Sequence, residues 1–593
     1  MNPIQEYARR LEARRSASVR FDRIHKTIGN WRLALFVAAG TLAWLSIVRA
    51  ALSPWWLALP AIVFFVLVVI HERVLQARRR LDRAATFYDR GIARLENRWA
   101  GTGEKGECYI DDQHPYARDL DLFGQGSLFE LICTARTRAG EDALARWLRL
   151  PAGAAEARAR QSSVAELTPR LDLREELALL GDDLRSGLDP DALAAWGTAP
   201  AVVFPGWTRI VATPLAFLTV LALFLWLVLG FTSVWFQITL LLEAAFWLRL
   251  RIPTMQVVSA VERPGRDLAL LSQVLSRLEG EPFASPRLVS LRAELDTAGS
   301  PPSRQIARLR RLVDLLDAQR NQLFAPIAFL LLWSTQFAIA IENWRRISGP
   351  AVGRWLAAVG EFEALCALSG YGYEHPADPF PELVEQGICF EGEGLGHPLL
   401  PIDLCVRNDV RLGGELRVLL VSGSNMSGKS TLLRTVGTNA VLAFAGAPVR
   451  AAGLRLSPLS VGASIRIVDS LQDGSSRFYA EITRLRQLVD MTKGAFPLLF
   501  LLDELLHGTN SHDRRIGAEA VVRGLVDRGA VGLFTTHDLA LAEIAEALGP
   551  RAANVHFQDH LEDGKIVFDY VMRPGIVRKS NALELMRSVG LEV

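Results

Sequence analysis

The nine residues from Gly423 to Thr431 constrain the fold of this chain more than any other segment. They read Gly-Ser-Asn-Met-Ser-Gly-Lys-Ser-Thr, with the apolar run Val418 to Val421 before them and a helix-compatible segment after them. This is the P-loop pattern in its strand–loop–helix context. Glycines let backbone N–H groups close around phosphate oxygens, and the N-terminus of the next helix adds positive potential. The pattern therefore predicts a nucleoside triphosphate site on a parallel α/β sheet.

Each part of this loop has a predicted role. Lys429 is expected to reach the β- and γ-phosphates, and the Ser430 hydroxyl to ligate Mg²⁺. A glycine-rich turn with a chance Lys-Ser pair is the alternative, which a second motif of the same kind of site downstream disfavours. The predicted phosphate-binding residues are Gly423, Ser424, Asn425, Met426, Ser427, Gly428, Lys429, Ser430 and Thr431.

The second motif is the apolar run Pro497 to Leu502, which ends in Asp503 and Glu504. Such a run is typical of a strand that is buried on both faces of a parallel sheet, and these sheets bind ligands at the carboxyl ends of their strands. Asp503 is predicted to hold Mg²⁺ through its ligand shell, and Glu504 to orient or deprotonate the attacking water. Another apolar run, Ala530 to Thr536, ends at His537, a candidate sensor of the γ-phosphate.

Together these motifs resemble the MutS-type ATPases, which are relatives of the ABC ATPases. The resemblance covers about 200 residues at the C-terminus, where several motifs follow one another in the family's order. The resemblance rests first on the Ser-Asn-Met residues inside the P-loop and on Asp503 to Asp513, which resemble the Walker B motif and the D-loop. Thr535 to Asp538 resemble the switch, and Ser475 to Glu481 resemble the signature helix. Lesser matching features are Asn554 to Phe557 and Lys579-Ser580.

The resemblance implies an enzyme that hydrolyses ATP with Mg²⁺. It also implies a dimer, expected to be a homodimer, in which each signature helix reaches the nucleotide of the partner, so that Ser476 is a ligand in trans. The sequence departs from the family beside Asn408. Many members stack an aromatic ring on adenine just before this Asn, and here Cys405 occupies that place. Tyr570 is the ring predicted to stack on the base instead.

Two uncharged stretches near the N-terminus, Leu33 to Val48 and Ala50 to Ile70, predict a transmembrane hairpin. Both are near the roughly 17–25 residues that span a bilayer as helix, and arginines on the outer flanks place both ends in the cytoplasm. A buried hairpin of a soluble protein is the alternative. Residues 1–30 are basic, and Leu11 and Ile24 are too sparse to predict a core. This segment is interpreted as a cytoplasmic flank in preference to a nucleic-acid arm.

The stretch from Ile210 to Leu248 contains a single charged residue, Glu243, and predicts a second hairpin broken near Gly230. Glu243 lies near the cytoplasmic end, where snorkelling or an arginine partner is favoured over a functional role. The uncharged block 322–341 is expected to be soluble core, because another crossing would put the helical core and the P-loop on opposite sides of the membrane. A membrane-surface helix is the alternative.

The remaining segments predict soluble helices. Residues 73–205 resemble the helical core domain of MutS-type proteins, and Arg304 to Arg311 gives an amphipathic segment with a basic face. A solvated or membrane-facing surface is favoured for this face over a DNA contact. The formal net charge of +2 excludes a global basic field, and five scattered cysteines without C-x-x-C spacing indicate a reducing cytosol and support neither zinc nor disulfides.

The predicted fold is a C-terminal α/β P-loop ATPase domain (ABC/MutS-like) after an all-α core and lever region with two transmembrane helical hairpins. The predicted function is that of a membrane-anchored MutS-like ATPase dimer that lacks the family's mismatch-recognition domain and lies in the cytoplasmic membrane with its ATPase domain facing the cytosol. DNA is one candidate partner, which would relate the protein to DNA maintenance or mismatch repair, whereas recognition of mismatches is disfavoured. The alternative is an ATP-driven motor that acts on membrane helices or a protein partner without nucleic acid. The predicted segments are a basic lead (1–30), hairpin one (31–72), helical core (73–205), hairpin two (206–251), lever region (252–385) and ATPase domain (386–593).

Overall fold

A computed structural model describes the chain except residues 1, 50–52, 186–188, 298, 323, 467–476, 507–508, 563–564 and 578–593. Helices make up the chain as far as Glu374. Their bounds are α1 Pro3–Ala43 (continued by a π-helical turn, Trp44–Val48), α2 Ala58–Leu95, α3 Leu128–Ile132, α4 Arg138–Arg149, α5 Ala154–Leu167, α6 Leu171–Arg185, α7 Pro190–Thr198, α8 Trp207–Leu229, α9 Val234–Glu279, α10 Pro286–Leu295, α11 Pro302–Asp317, α12 Ala325–Leu330, α13 Trp333–Ser348 and α14 Val352–Glu374.

An α/β unit follows, with two sheets. The smaller sheet has the order β1-β5-β2-β3, and the larger has the order β10-β9-β4-β8-β7-β6 with only β10 antiparallel to its neighbour. The elements are β1 Glu382–Leu383, β2 Cys389–Leu395, β3 Asn408–Gly413, β4 Val418–Ser422, α15 Lys429–Ala445, β5 Gly453–Leu456, β6 Ser460–Ser464, α16 Arg477–Met491, β7 Leu498–Asp503, α17 Ser511–Asp527, β8 Val531–Thr536, α18 Glu543–Leu548, β9 Ala552–Glu562 and β10 Lys565–Pro574.

The strand order of the larger sheet positions the candidate site. β8 lies between β4 and β7, and its register pairs Thr535 with Asp503 on one side and Val421 on the other. The three strands are buried because helices cover the sheet, as their uninterrupted apolar runs predict. The residues that follow them, including the P-loop, Glu504 and His537, therefore meet at one edge.

One continuous hydrophobic core joins the helices to this sheet. It includes Trp355 and Phe362 of α14, Leu268 of α9, and Leu433 and Phe444 of α15. Arg160 of α5 crosses the boundary between the two regions and donates to the carbonyl of Phe444 at 3.1 Å. The helical region is thus packed directly against the helix that follows the P-loop.

The N-terminal segment is part of this packed structure, which corrects the expectation that it lacks a core. Tyr7 and Leu11 are buried in a cluster with Phe87 and Tyr88 of α2 and with α6. The Tyr7 hydroxyl donates to Glu374 at 3.2 Å. The apolar residues are sparse along α1 but contact residues that lie some 80 positions away, a contact that local spacing does not reveal.

The arginines of this segment are largely paired with acids, which argues against a nucleic-acid arm. Arg9 and Arg10 both contact Glu6, and Arg10 also pairs with Asp172. Further pairs are Arg14–Glu175, Arg15–Asp89 and Lys26–Asp22. Phosphate contacts would have to displace these partners.

Among the described residues, three helices are long and apolar enough to cross a membrane by length and composition: Pro3–Val48, Trp55–Leu95 and Trp207–Leu229. In their most apolar windows only 6%, 11% and 22% of the residues are buried. The first half of α9, predicted as the return helix of the second hairpin, is not among them, although α8 and α9 pack against each other. α1 and α9 each continue without interruption from an apolar end into the packed core.

Glu243 differs from its expected environment. It is 1% exposed and does not snorkel, and no arginine pairs with it in the part of the chain that the structure describes. Neither carboxylate oxygen has a well-formed hydrogen bond, and the neighbouring hydroxyl of Thr219 donates to the carbonyl of Leu215. The α8–α9 contact therefore buries a carboxyl group that has neither a well-formed hydrogen bond nor a cationic partner among the described residues.

We expect Glu243→Leu to raise the thermal stability of the detergent-solubilised protein, because a buried polar group without partners costs about 1–3 kcal/mol. Differential scanning fluorimetry against the parent chain measures this. Glu262→Leu is the matched control, since Glu262 lies on the same helix but is exposed and contacts Arg320. A lower melting temperature for Glu243→Leu alone would show that the carboxyl group stabilises the hairpin.

The block 322–341 is not one helix. It divides into α12 and α13 at Leu332, which has a positive φ of 47°. Leu332 packs beneath the second hairpin with Ala212, Phe246 and Leu250, whereas Ile327 and Phe329 of α12 are about half exposed (50% and 47%). The expectation of buried core holds for α13, one face of which packs in the main hydrophobic core. It does not hold for α12, which lies beside α8 and exposes apolar side chains.

Candidate functional site

The P-loop joins the end of β4 to the first residue of α15, as the motif predicts. The Lys429 ammonium donates to the carbonyls of Gly423 and Ser424 at 2.9 and 2.8 Å. Gly428 has a φ of 102°, and a β-carbon there would lie 3.1 Å from the Tyr570 ring. This glycine is required both by its left-handed backbone and by that close approach.

The acidic residues after β7 form the second wall of the site. Glu504 has an unusual φ of 45°, and its N–H donates to the Thr535 hydroxyl at 3.2 Å. That hydroxyl in turn donates to Asp503. Glu504 Oε1 lies 3.6 Å from the Lys429 ammonium and 3.3 Å from Nδ1 of His537. Glu504 is thus held between the P-loop lysine and the candidate sensor.

Burial is the main influence on the charge of Lys429. It lowers the pKa of this ammonium from its ordinary value, and the carboxylates of Glu504 and Asp503 oppose the shift. The residue is 5% exposed. A buried ammonium is stabilised by phosphate oxygens, and a Mg²⁺ ion would offset the repulsion between those phosphates and the two nearby carboxylates.

A cavity of about 850 Å³ opens between these walls. Ser430 and Asp503, the predicted Mg²⁺ ligands, both line it. Mg²⁺ prefers oxygen ligands, usually from one or two side chains together with phosphates and water. Ser430 and Asp503 therefore fit the ion. The described residues hold no cluster of three or more His, Cys, Asp or Glu side chains for a metal. The predicted residues that line the cavity are Asn425, Met426, Gly428, Lys429, Ser430, Thr431, Asp503, Glu504 and Tyr570.

The other predicted residues lie beside the cavity. Gly423 is at the start of the loop, and a β-carbon there would lie 2.7 Å from the hydroxyl oxygen of Ser427. The hydroxyls of Ser424 and Ser427 are buried. His537 contacts the cavity wall through Glu504. Ser476 lies outside the described residues.

A β-bulge presents Tyr570 to the cavity. The register of β10 against β9 shifts between Phe568 and Met572, and Tyr570 has a φ of 54°. Asn408 fixes the bulge because its amide donates to the Tyr570 carbonyl at 3.0 Å and accepts from the Met572 N–H at 2.7 Å. The ring therefore lines the cavity beside Gly428. That it stacks on the base of a nucleotide stays a prediction.

Sequence reasoning missed an apolar wall of the same cavity. Leu400, Leu404 and Val406 line the cavity, and Leu404 is 73% exposed. Cys405 points elsewhere, since its sulfur accepts from the His397 N–H at 3.2 Å. The irregular run from Leu399 to Val406 has no helical or strand period, so only its proximity in the fold identifies it as a binding surface.

The comparisons with known proteins address this part of the chain. Residues 419–592 match the family model of MutS domain V. The chain is also similar to DNA mismatch repair protein MutS 2 of Halobacterium salinarum, with 34% identity over 249 residues, or 41% of this chain and 27% of that protein. With DNA mismatch repair protein MutS of an Exiguobacterium species it shares 35% identity over 196 residues, or 32% of this chain and 23% of that protein.

These matches confirm the resemblance to MutS proteins over the C-terminal part of the chain, whose P-loop fold the structure also has. The chain spans about a quarter of the length of the curated relatives it matches. The matched residues 419–592 contain the strands of the larger sheet, β4 (except Val418) and β6 to β10, and all the predicted site residues.

The region that matches MutS domain V is fastened to the helical region through α16, a contact that the sequence did not predict. Arg484 of α16 donates to the carbonyls of His114 and Asp112 at 2.8 and 2.9 Å, and Gln487 donates to that of Gln113 at 3.0 Å. Asp119 accepts the N–H of Ile465 at 2.8 Å. The residues on either side of the segment that contains Ser476, Ile465 and Arg484, therefore both hydrogen-bond to the loop of residues 112–119 in the helical region.

α16 is also tied to the acidic end of the site. Glu481 is 1% exposed, and its carboxylate accepts the N–H of Leu506, two residues after Glu504. Leu506 has a φ of 59°. A movement of α16 would thus be transmitted through Glu481 to the backbone at Leu506, next to the segment that positions Glu504.

We expect Tyr570→Ala to weaken ATP binding by about 10-fold, since stacking of a base on an aromatic ring contributes about 1–3 kcal/mol. Tyr570→Phe is the matched control and should bind within about twofold of the parent, because the hydroxyl has no role in stacking. Equilibrium titration with a fluorescent ATP analogue measures both. Equal affinity of the parent and Tyr570→Ala would place the base elsewhere, against the apolar wall.

Proposed function

We propose that this chain is a Mg²⁺-dependent ATPase of the MutS domain V type, which is held in a membrane by its apolar helices and transmits nucleotide-driven motion through its helical core. The observation that carries the enzymatic part is the position of Glu504, 3.6 Å from Lys429 and 3.3 Å from His537 at the edge of an 850 Å³ cavity. A nucleotide in that cavity would present its terminal phosphate between the lysine and the carboxylate.

The roles of the residues follow from this geometry. Lys429 and the backbone of the P-loop bind the phosphates, and Tyr570 with the apolar wall holds the base. Mg²⁺, held by Ser430 and Asp503, would neutralise charge on the β- and γ-phosphates. Glu504 orients water for in-line attack and accepts its proton, while His537 fixes the carboxylate and senses the phosphate.

Dimerisation is part of the proposal. The position expected for the γ-phosphate faces the open side of the cavity, and a ligand from a second copy would complete it, as Ser476 does by resemblance to the family. The contacts of Arg484 and Ile465 with the core would then transmit closure of the dimer into the helical region.

Three observations support the membrane location. The candidate spans are long and apolar, most of their residues are exposed, and exposed tryptophans lie at the ends of α1 and α2 (Trp44, Trp55 and Trp56). Because α1 and α9 continue from apolar segments into the core, a shift of the core would reach the membrane without an intervening loop. We propose the cytoplasmic membrane, with the ATPase region in the cytosol.

DNA is the second candidate partner, and one observation favours it. Arg304 and Arg311 on the exposed face of α11 have no acidic partner among the described residues, so they are available to phosphates. The names of the relatives refer to mismatch repair, but the similarity to them leaves most of their length uncovered. A clamp on DNA at the membrane is therefore the alternative to a motor that acts on membrane helices.

The test is the ATPase rate of the full chain in lipid nanodiscs, with and without duplex DNA, across a salt series. We expect Mg²⁺-dependent phosphate release and retention of the chain in membranes after a high-salt wash. A rate that responds to lipid but not to DNA supports the motor. Stimulation by DNA that fades steeply with salt supports the clamp, because counterion release makes phosphate contacts salt-sensitive. Absence of Mg²⁺-dependent turnover in every condition contradicts the enzymatic proposal.

A further inference from the structure

A second cavity, of about 330 Å³, lies far from the nucleotide site, where the first turns of α8 meet α11 and α13. Arg209, Ala212 and Thr213 of α8 form one side. Arg308 and Leu312 of α11 form another, and one face of α13 closes it. Its volume is at the lower end of the roughly 300–1,000 Å³ range of small-ligand sites.

The charge of this cavity is unbalanced. Arg209 and Arg308 line it, neither has an ion pair or hydrogen bond among the described residues, and no acidic side chain is in its lining. Nearby arginines differ: Arg345 pairs with Glu342 at 2.7 Å, and Arg310 contacts Asp314. Two guanidinium groups that face one pocket without an acid are suited to an anion such as phosphate.

Most of the other lining groups are apolar or already hydrogen-bonded. Phe337 and Leu312 supply apolar surface. Trp344 donates to the carbonyl of Gln305 at 2.8 Å, and the Gln336 amide donates to that of Leu331 at 2.7 Å. The arginines are therefore the cationic donors left for a ligand, beside Thr213 and the Asn343 amide, and the ligand must also accommodate an apolar surface.

The position of the cavity indicates where such a ligand comes from. Arg209 directly precedes Ile210, from which α8 runs apolar and exposed to Leu229. The exposed side chains Ile210 and Phe217 (74% and 65%) continue outward from the cavity along α8. An amphiphile with a phosphate at the arginines would lay its hydrocarbon on this surface. A DNA duplex would not fit into a pocket of this size.

We propose that this cavity binds the headgroup phosphate of an anionic phospholipid, with its acyl chains along α8. The inference rests on the membrane location given under the proposed function. The lipid bridges α8 with α11 and α13, which both pack against α9. Its occupancy thus joins the membrane helices to the lever region, and the ATPase rate in bilayers should rise with anionic lipid.

The test uses nanodiscs of phosphatidylcholine and phosphatidylglycerol in equal parts, from which the full chain is released for native mass spectrometry. The variant Arg209→Gln/Arg308→Gln should retain at least about fivefold less phosphatidylglycerol than the parent, because each arginine at a membrane surface contributes on the order of 1 kcal/mol. Retention of phosphatidylcholine should not change.

The matched control is Arg251→Gln/Arg311→Gln. It also removes two arginines, Arg251 from α9, the other helix of the hairpin, and Arg311 from α11. Neither of these residues lines the cavity. The control should retain phosphatidylglycerol within about twofold of the parent, because only general surface attraction is reduced. ATP turnover of both variants in detergent checks that they fold.

The outcomes separate this inference from the proposed function. Equal losses in both variants, or parental retention in the cavity variant, overturn the lipid site while the chain remains in the membrane. A chain that leaves the membrane in a salt wash overturns the membrane location, and the lipid site with it. If the cavity variant loses duplex DNA binding and keeps its lipid, the arginines belong to a DNA contact instead.

Discussion

Glu504→Ala should leave ATP binding close to that of the parent while it lowers the turnover rate by about 10²–10⁴-fold, the usual contribution of a positioned general base. The carboxylate lies 3.3 Å from Nδ1 of His537, and the backbone of Glu504 is held in place because its N–H donates to the Thr535 hydroxyl. Its removal takes away the group that orients water, but the loop donors that bind phosphate remain. Rapid-quench measurement of hydrolysis beside equilibrium binding separates the two effects.

Two controls sharpen this result. Glu504→Gln keeps the shape and the hydrogen bond to water but cannot accept a proton, so it should be as slow as Ala. Glu543→Ala removes an exposed carboxylate that pairs with Arg515 outside the cavity and should turn over at the parental rate. If the dimer closes on ATP as proposed, Glu504→Ala should also accumulate as a dimer in ATP. Parental turnover by Glu504→Ala would overturn the assignment.

Lys429→Ala should abolish ATP binding in the micromolar range, with a loss of affinity of at least about 100-fold. A charge-assisted bond to a neutral or anionic acceptor contributes about 1.5–3 kcal/mol in proteins, and removal of the buried cation also leaves Glu504 and Asp503 facing the phosphates without compensation. Isothermal titration calorimetry with ATP and Mg²⁺ measures the loss.

Lys493→Ala is the matched control for this change. Lys493 is exposed, pairs with Asp490 at 2.8 Å, and lies in the same α/β unit outside the cavity. Its substitution should leave affinity unchanged, since an exposed pair contributes little. ATP binding by Lys429→Ala with parental affinity would mean that the cavity does not bind the nucleotide through this loop.

The sequence was most informative where the chemistry is local. The P-loop from Gly423 to Thr431 and the Asp503-Glu504 pair are contiguous motifs, and each follows a strand whose apolar run is visible without the fold. Parallel strands bring their carboxyl ends to one edge, so the meeting of these motifs was predictable as well. The order of the strands, with β8 between β4 and β7, was not.

The sequence was least informative where contacts join distant positions. Leu11 looked isolated because its partners are on α2 and α6, and Glu243 was expected to meet an arginine because the charge at its end of the hairpin is basic. Arg484 gave no signal, since it acts through backbone carbonyls at 112 and 114 that any residues could supply. Periodicity reports the face that a helix buries, but not the element that covers it.

Under the membrane location proposed above, the length of α9 sets how far its apolar end travels. At about 1.5 Å per residue, its 46 residues form a rod of about 69 Å. A tilt of about 5° at the core end would displace the other end by about 6 Å, more than one helical turn. Pro253 and Pro264 interrupt the hydrogen-bond ladder of this rod between its apolar half and the core half. If α9 is stiff at these two prolines, a tilt of its core half displaces the apolar end. If α9 bends there, the same tilt leaves the apolar end in place.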